Sequence, residues 1–452
     1  MQLPFTLLES LKDVPGFNLD AFEKVHSSGE QVTSIRIHPN KLAGSPKALS
    51  FGEGLGEVIP WTQYGYYLKE RPSFTFDPLF HAGCYYVQEA SSMFLEQALK
   101  QTVDLSQPVK VLDLCAAPGG KSTHIHSLIS KESLLVSNEV IRSRSNILKD
   151  NIIKWGSDNV VVTNNDPKAF AKLENYFDVI VIDAPCSGSG LFRKDEDAIN
   201  EWGLNNVHLC RQRQQRILAD VWPALKKNGV LIYCTCSYSK EENEEIIDWM
   251  KGILQAENIQ LNIYASWGVI ESSGGYRFWP DKVKGEGFFI SCLRKKEGDE
   301  YPDSKNNFKP DLLRKDELNI VKEWMQQTND LPLKLGKTIF AVPEVLLQNI
   351  YYLTSVLNVI YQGIAIGELI RDKMIPEHAL AMSNFVNPGV RRIELNKTEA
   401  VEFLRKKNIH IDPVNKGWSL VAFNGCNLGW VNVLANRVNN YYPKSLRILK
   451  DK

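Results

Sequence analysis

The chain has little that would tie it to an oxidising compartment or to a membrane. Its eight cysteines are scattered through 452 residues with no C-x-x-C pair, so neither a disulfide framework nor a zinc site is expected. Thiols then stay free for chemistry, as in a reducing cytoplasm, and no metal is implied. No apolar run approaches the ~18–20 residues of a membrane span. The opening MQLPFTLLESLKDVPGF lacks the basic region, apolar stretch and small-residue cleavage site of a secretory leader. A cytoplasmic location without membrane attachment is the expectation. Excess charge is missing too, with Lys plus Arg equal to Asp plus Glu at 53 each. Any polyanionic partner must therefore meet a local patch. The C-terminal end offers one in Arg437, Lys444, Arg447, Lys450 and Lys452 against the single acid Asp451, although a solvated tail explains that run equally well. Nucleotide fingerprints are absent: G-x-G-x-x-G occurs nowhere, and Cys115 stands where a Walker A loop before Gly120-Lys121 needs glycine.

What is present is the material of a large soluble fold. With 43% hydrophobic and 23% charged residues the chain can bury sizeable cores, and its length implies two to four domains at roughly 100–200 residues each. From about Val109 to Leu293, the runs VKVLDLC, LLVSNEV, NVVVTN, DVIVIDA and GVLIYCT alternate with helix-like stretches. Near-continuous apolar runs separated by helices read as buried parallel strands, which predicts an α/β, doubly wound, Rossmann-like domain over 96–298. The clearest helix is expected over 207–226, with Pro223 disturbing its last turn. A small α+β region precedes it over 1–95. The polar stretch KKEGDEYPDSKNNFKPD suggests a linker over 299–335, and GWSLVAFNGCNLGWVNVLANRV suggests a small module with β structure over 336–452.

The segment VLDLCAAPGGKS reads as strand, small-residue turn and helix start. Small residues let a backbone approach a ligand closely, and the free amides of a helix start favour a negative group. Of the two ligand classes that suit such a turn, nucleoside triphosphates fail on the Walker spacing and S-adenosylmethionine remains. Glu139, after the next strand, is placed to accept from ribose hydroxyls, and Asp166, after the strand beyond it, from an adenine amino group. Either acid alone would be read as loop solvation, but two at successive strand ends favour a ligand.

DVIVIDAPCSGSG puts Asp183 and Cys186 just past one strand end, and GVLIYCTCSYS puts Cys234 and Cys236 at another. Ligands of open α/β sheets bind outside the carboxyl ends of strands. Neighbouring strands at ~4.8 Å would let Cys186 and Cys236 face one pocket about 5–10 Å across. Cys84, Cys210, Cys234, Cys292 and Cys426 are read instead as small buried hydrophobes.

DLCAAPGGKS, DAPCSGSG and CTCSYSKEENEEI, in that order, resemble the Sun-type RNA cytosine-5 methyltransferases, most of all the RsmF-type branch that modifies ribosomal RNA. HAGCYYVQEASSMF, GEGFFISCLRKK and GWVNVLANRVNNYYPKSLR resemble that branch as well, so the likeness spans nearly the whole chain. The sequence departs from the common pattern in carrying Cys234 where a serine often precedes TCS. The resemblance implies that Cys236 is a nucleophile adding to carbon 6 of cytosine, which makes carbon 5 able to take a methyl group. It implies that Cys186 assists release of the covalent product, and that Asp183 hydrogen-bonds the base edge at N3 and the amino group. Cys115, Ala116, Ala117, Pro118, Gly119, Gly120 and Lys121, with Glu139, Asp166 and Asp183, would line an S-adenosylmethionine pocket.

The implied partner is structured RNA, ribosomal before transfer RNA and not DNA, acted on by a monomer. The C-terminal module would be an RNA-binding fold of the pseudouridine-synthase-associated (PUA-like) kind, and the N-terminal region RNA-binding as well. A target base must leave its stack to be reached. Trp61, Tyr64, Tyr66, Tyr85 and Tyr86 are candidate platforms for it, core packing being the alternative for at least half of them. Arg193 and Lys194 are candidate phosphate contacts, and Arg211, Arg213 and Arg216 serve as readily as a solvated helix face. The competing readings are a catalytically silent RNA-binding assembly factor and, on GGKS, an ATPase.

Overall fold

Five of the apolar runs form five parallel strands in the computed structural model: Lys110–Asp113, Leu134–Asn138, Val160–Thr163, Phe177–Asp183 and Leu225–Thr235. The structure describes residues 3–42, 49, 55–298, 312–326, 328–409, 411 and 416–450. Across the sheet the order is Leu225–Thr235, Phe177–Asp183, Lys110–Asp113, Leu134–Asn138, Val160–Thr163. The chain therefore reverses its direction of travel between Lys110–Asp113 and Phe177–Asp183, which opens the crevice where doubly wound folds bind ligands. Side chains alternate strictly between two cores. Val111, Leu135, Val162, Val179 and Ile232 enter one, and Leu112, Val136, Val161, Ile180 and Leu231 the other, as expected of strands covered on both faces.

Antiparallel strands extend this sheet at both edges. Phe288–Lys295 pairs with Leu225–Thr235, followed outward by Gly275–Phe278 and Ile270–Ser272. At the far edge Val359–Gln362, from the C-terminal part, pairs with Val160–Thr163. The helix expected over 207–226 runs over Leu204–Val221. It ends there because Pro223 has no N–H to continue the ladder, and Trp222–Ala224 forms a 3-10 turn.

The N-terminal region carries a four-stranded sheet with Ser34–Ile37 between Gly65–Leu68 and Tyr85–Val87. The expected linker needs correction. Residues 299–311 lie outside the described residues, but Lys315–Trp324 is a helix whose first turn is closed by Glu317 accepting from the Arg314 backbone. Asp330–Leu335 is a strand paired with Thr338–Pro343. Val321 and Leu333 are fully or almost fully buried, so this polar-looking segment contributes to packed cores.

Among the described residues, the C-terminal part contains two four-stranded sheets. One begins before the expected bound of 336, with the Asp330–Leu335 hairpin, and the other runs Arg392–Glu394, Gly417–Phe423, Cys426–Val433, Val438–Asn440. This last sheet shares a core with the N-terminal region, where Ile35, Leu79 and Tyr85 meet Phe403, Val431 and Val433. Both ends of the chain thus pack together beside the central domain. Among the described residues no helix is long and apolar enough to cross a membrane.

Candidate active site

The loop after Lys110–Asp113 is held from several sides. Gly119 has φ +114° and precedes the helix Gly120–His126, a backbone that few residues other than glycine adopt. The two preceding carbonyls of the loop are pinned by neighbours: Arg144 donates to Ala117 O at 2.8 Å and Asn151 to Pro118 O at 2.8 Å. Asn138 braces the strand ends, donating to Leu114 O at 3.1 Å and Asn165 O at 3.0 Å while accepting from Thr163 Oγ1 at 2.8 Å. A residue that composition alone does not single out, Arg36, is fully buried. It donates to Thr123 Oγ1 at 2.6 Å and Gly120 O at 3.3 Å, fastening the N-terminal sheet to the start of the loop helix.

Under the loop, Asp113 is fully buried and accepts from Ser122 Oγ at 2.6 Å. Burial pushes its carboxyl up from 3.8 to about 7, against the Ser122 hydrogen bond and with repulsion from Asp183. The folded protein therefore keeps a proton that the unfolded chain has released. The stability this contributes is fully present below about pH 4 and is lost as pH rises toward 7. Asp113→Asn should remove that slope. Between pH 5 and pH 8, wild type should lose about 2–3 kcal/mol relative to the variant, read by thermal or urea unfolding of both. Equal pH profiles would show that Asp113 titrates normally.

Three carboxylates rim the crevice. Glu139 is almost fully buried, its Oε1 accepting from Ile141 N at 2.8 Å and its Oε2 lying 3.5 Å from Arg144. Beside it Val140 and Ile141 stay about half exposed, an uncovered apolar surface. Asp166 caps a 3-10 turn, its Oδ1 accepting from Lys168 N at 3.1 Å, and its Oδ2 lies 3.7 Å from Arg216. Asp183 pairs with Lys121 at 2.7 Å. Although burial opposes its charge, Lys121 is held above the ordinary lysine range, with Asp183 the main attraction. The ammonium also lies 5.4 Å from the ring centre of Phe288.

Asp183 pairs in register with Cys234 on the adjacent strand, so the two chain ends leave the sheet side by side. Cys186 and Cys236 follow, and their sulfurs are 3.2 Å apart, both as free thiols. This is closer than the pocket expected from strand spacing. Hydrogen bonding to Cys236, then burial, raises the Cys186 thiol well above its usual range. The approach is enforced by Gly190, whose N–H donates to Cys236 O at 2.8 Å. A Cβ there would sit 2.6 Å from the same oxygen and 2.5 Å from Gly287 O. Cys234 is buried, its sulfur 3.6 Å from both Ile182 O and Asp183 Oδ1.

Other candidates are placed differently from expectation. Trp61 and Tyr85 are core residues, donating to Ala90 O at 2.8 Å and to Asp77 at 2.6 Å, and offer no platform. Tyr64, Tyr66 and Tyr86 are partly exposed. Tyr86 lies against the loop, 3.3 Å from where a Gly120 Cβ would be. Arg193 is no phosphate contact: it is buried and donates to Glu30 O at 2.6 Å and Gly285 O at 3.2 Å, with Glu286 at 3.5 Å. Lys194 is 3.9 Å from the same Glu286. Arg211 pairs with Glu245 at 3.0 Å. At the C-terminus Arg437, Lys444, Arg447 and Lys450 are exposed, while Asp451 and Lys452 lie outside the described residues.

Comparison with known proteins matches three family models. Residues 100–294 match 16S rRNA methyltransferase RsmB/F, residues 3–90 the N-terminal domain of 16S rRNA methyltransferase RsmF, and residues 390–448 the methyltransferase RsmF PUA domain. The chain is 28% identical over 450 residues to ribosomal RNA small subunit methyltransferase F of Shewanella piezotolerans, covering 94% of this chain and 93% of that protein. It is 29% identical over 442 residues to the protein of that name from Aeromonas salmonicida, covering 91% and 90%. Among solved structures, a methyltransferase homolog protein from Pyrococcus horikoshii is 25% identical with a TM-score of 0.52, covering 65% of this chain and 100% of that one.

Proposed function

The chain belongs to the RsmB/F family of methyltransferases, and from that premise we propose that it methylates carbon 5 of a cytidine in small-subunit ribosomal RNA, with Cys236 as covalent nucleophile. The observation that carries this reading is the 3.2 Å approach of the Cys186 and Cys236 sulfurs at two adjacent strand ends, beside Asp183. A binding protein has no need of two free thiols converging on a ligand crevice.

The residues present suit S-adenosylmethionine. Loop Cys115–Lys121 would hold its amino-acid end, Glu139 its ribose and Asp166 the adenine amino group, with Val140 and Ile141 against the ring. When bound, this cofactor supplies a methyl group on an electron-poor sulfur. The protein supplies the rest. Cys236 as thiolate adds to carbon 6 of the cytosine, breaking the 5,6 double bond and leaving carbon 5 electron-rich enough to take the methyl group. Asp183 hydrogen-bonds the base edge, and the neighbouring Lys121 ammonium offsets charge that builds on the ring. The ring then gives its carbon-5 proton to solvent water, the C5–H electron pair re-forms the double bond and the Cys236 thiolate departs. Cys186, its own thiol held protonated, gives the departing sulfur a hydrogen bond.

An unstacked base must be presented by RNA held close to the crevice. The N-terminal region and the C-terminal sheet, joined through one core, would supply a surface for it, with Arg437, Lys444, Arg447 and Lys450 toward phosphate. The test is bisulfite sequencing of ribosomal RNA from cells lacking the gene and from cells carrying it. One or a few small-subunit cytidines should lose protection from conversion in the deletion strain. Unchanged protection throughout the small-subunit RNA would exclude that substrate.

A further inference from the structure

Glu242 belongs to the acidic run KEENEE and by composition is a solvated helix residue, yet it is fully buried. Among the described residues its carboxylate has no cation as a hydrogen-bond partner and accepts from neutral donors. Oε1 accepts from the Ser187 amide at 2.8 Å and Gln214 Nε2 at 3.2 Å. Oε2 accepts from Ser187 Oγ at 2.5 Å and Ser237 Oγ at 2.6 Å. Ser187 directly follows Cys186, and Ser237 directly follows Cys236. One side chain thus bridges the two loops that carry the thiols.

The backbone around it is fixed with equal care. Tyr233 donates to Glu242 O at 2.7 Å, Thr235 Oγ1 donates to Asn243 at 2.6 Å, and Asn243 Nδ2 donates to Ser237 O at 2.8 Å. Burying an uncompensated carboxylate is costly, and burial does raise the Glu242 carboxyl above its ordinary value against those hydrogen bonds. A structural crosslink alone could use a neutral amide. What a carboxylate adds is acceptance from every surrounding donor at once, and a negative charge that disfavours ionisation of Cys186.

We propose that Glu242 is a positioning residue for the reaction: its carboxylate clasps the Cys186 loop to the Cys236 loop and fixes the separation of the two sulfurs. This rests on the reading that those sulfurs do the chemistry, but its test does not depend on methyl transfer. In wild-type protein, diamide should rapidly join Cys186 and Cys236, each thiol giving up its hydrogen to the reagent, with the crosslink located by peptide mass spectrometry. Glu242→Gln should slow that crosslinking about tenfold. The same variant should lower kcat by about 10–100-fold with KM for RNA within a factor of two, the pattern of misplaced reacting groups.

Should Glu242→Gln fail to fold, judged by its melting temperature, Ser237→Ala removes one of the donors to Oε2 and should slow crosslinking about threefold. Wild-type crosslinking rates in the folded variant overturn the proposal, whether or not turnover falls. Absence of methylation by the wild type would instead count against the proposed function and leave the crosslinking result intact.

Discussion

Cys236→Ala should leave no measurable methyl transfer, a loss on the order of 10⁴-fold or more, with RNA affinity little changed. Carbon 5 of cytosine is too weak a nucleophile to take a methyl group until carbon 6 has received an electron pair, and in the proposed reaction the Cys236 sulfur gives it. A hydrogen-bonding residue can be trimmed and leave partial activity; the atom that forms the covalent bond cannot. Cys186 does not substitute for it, because hydrogen bonding to Cys236 and burial hold its thiol well above the range in which it ionises at neutral pH. Loss of Cys236 removes that hydrogen bond, so residual activity in the variant, if any, should rise steeply with pH. Labelled methyl transfer to ribosomal RNA over pH 6–9 measures both points.

Cys186→Ala should give the opposite phenotype. Methyl transfer should occur once per enzyme, and the product should remain attached, appearing as an RNA–protein band that survives denaturing electrophoresis. The reason is the 3.2 Å contact: in wild type the departing Cys236 sulfur has a thiol donor beside it, and in the variant it has a methyl group. Multiple turnover should fall by about 10²–10³-fold, the scale of losing a donor aimed at developing charge. A variant that turns over normally without an adduct would remove Cys186 from the release step.

Much of the frame is legible in the residues alone, because burial on both faces makes strands apolar at most positions. VLDLC, LLVSN, VVVT, FDVIVID and LIYCT read as such strands, and their order puts Asp183, Cys186 and Cys236 at or just past carboxyl ends. What escaped is non-local. Glu242 and Arg36 look like surface charges because their partners lie far off in sequence, Ser187 for one and Thr123 for the other. Trp61 and Tyr85 resemble platforms because aromatic clusters suit both stacking and cores, and only tertiary packing decides: Trp61 lies against Phe94, Trp267 and Phe278, and Tyr85 enters the core shared by the chain's two ends. The helix Lys315–Trp324 falls within the expected linker 299–335 because it buries little, Val321 being its one fully buried residue.

The proposed reaction turns on a carbon–sulfur bond between Cys236 and the target base. RNA carrying 5-fluorocytidine tests it directly in the wild-type protein, since a ring that accepts the methyl group but has no carbon-5 proton to lose cannot release the enzyme. After digestion of protein and RNA, mass spectrometry should find a methylated fluoropyrimidine nucleoside on the peptide containing Cys236 and on no other. A modified Cys186 or Cys234, or no covalent adduct in the presence of S-adenosylmethionine, would contradict the account.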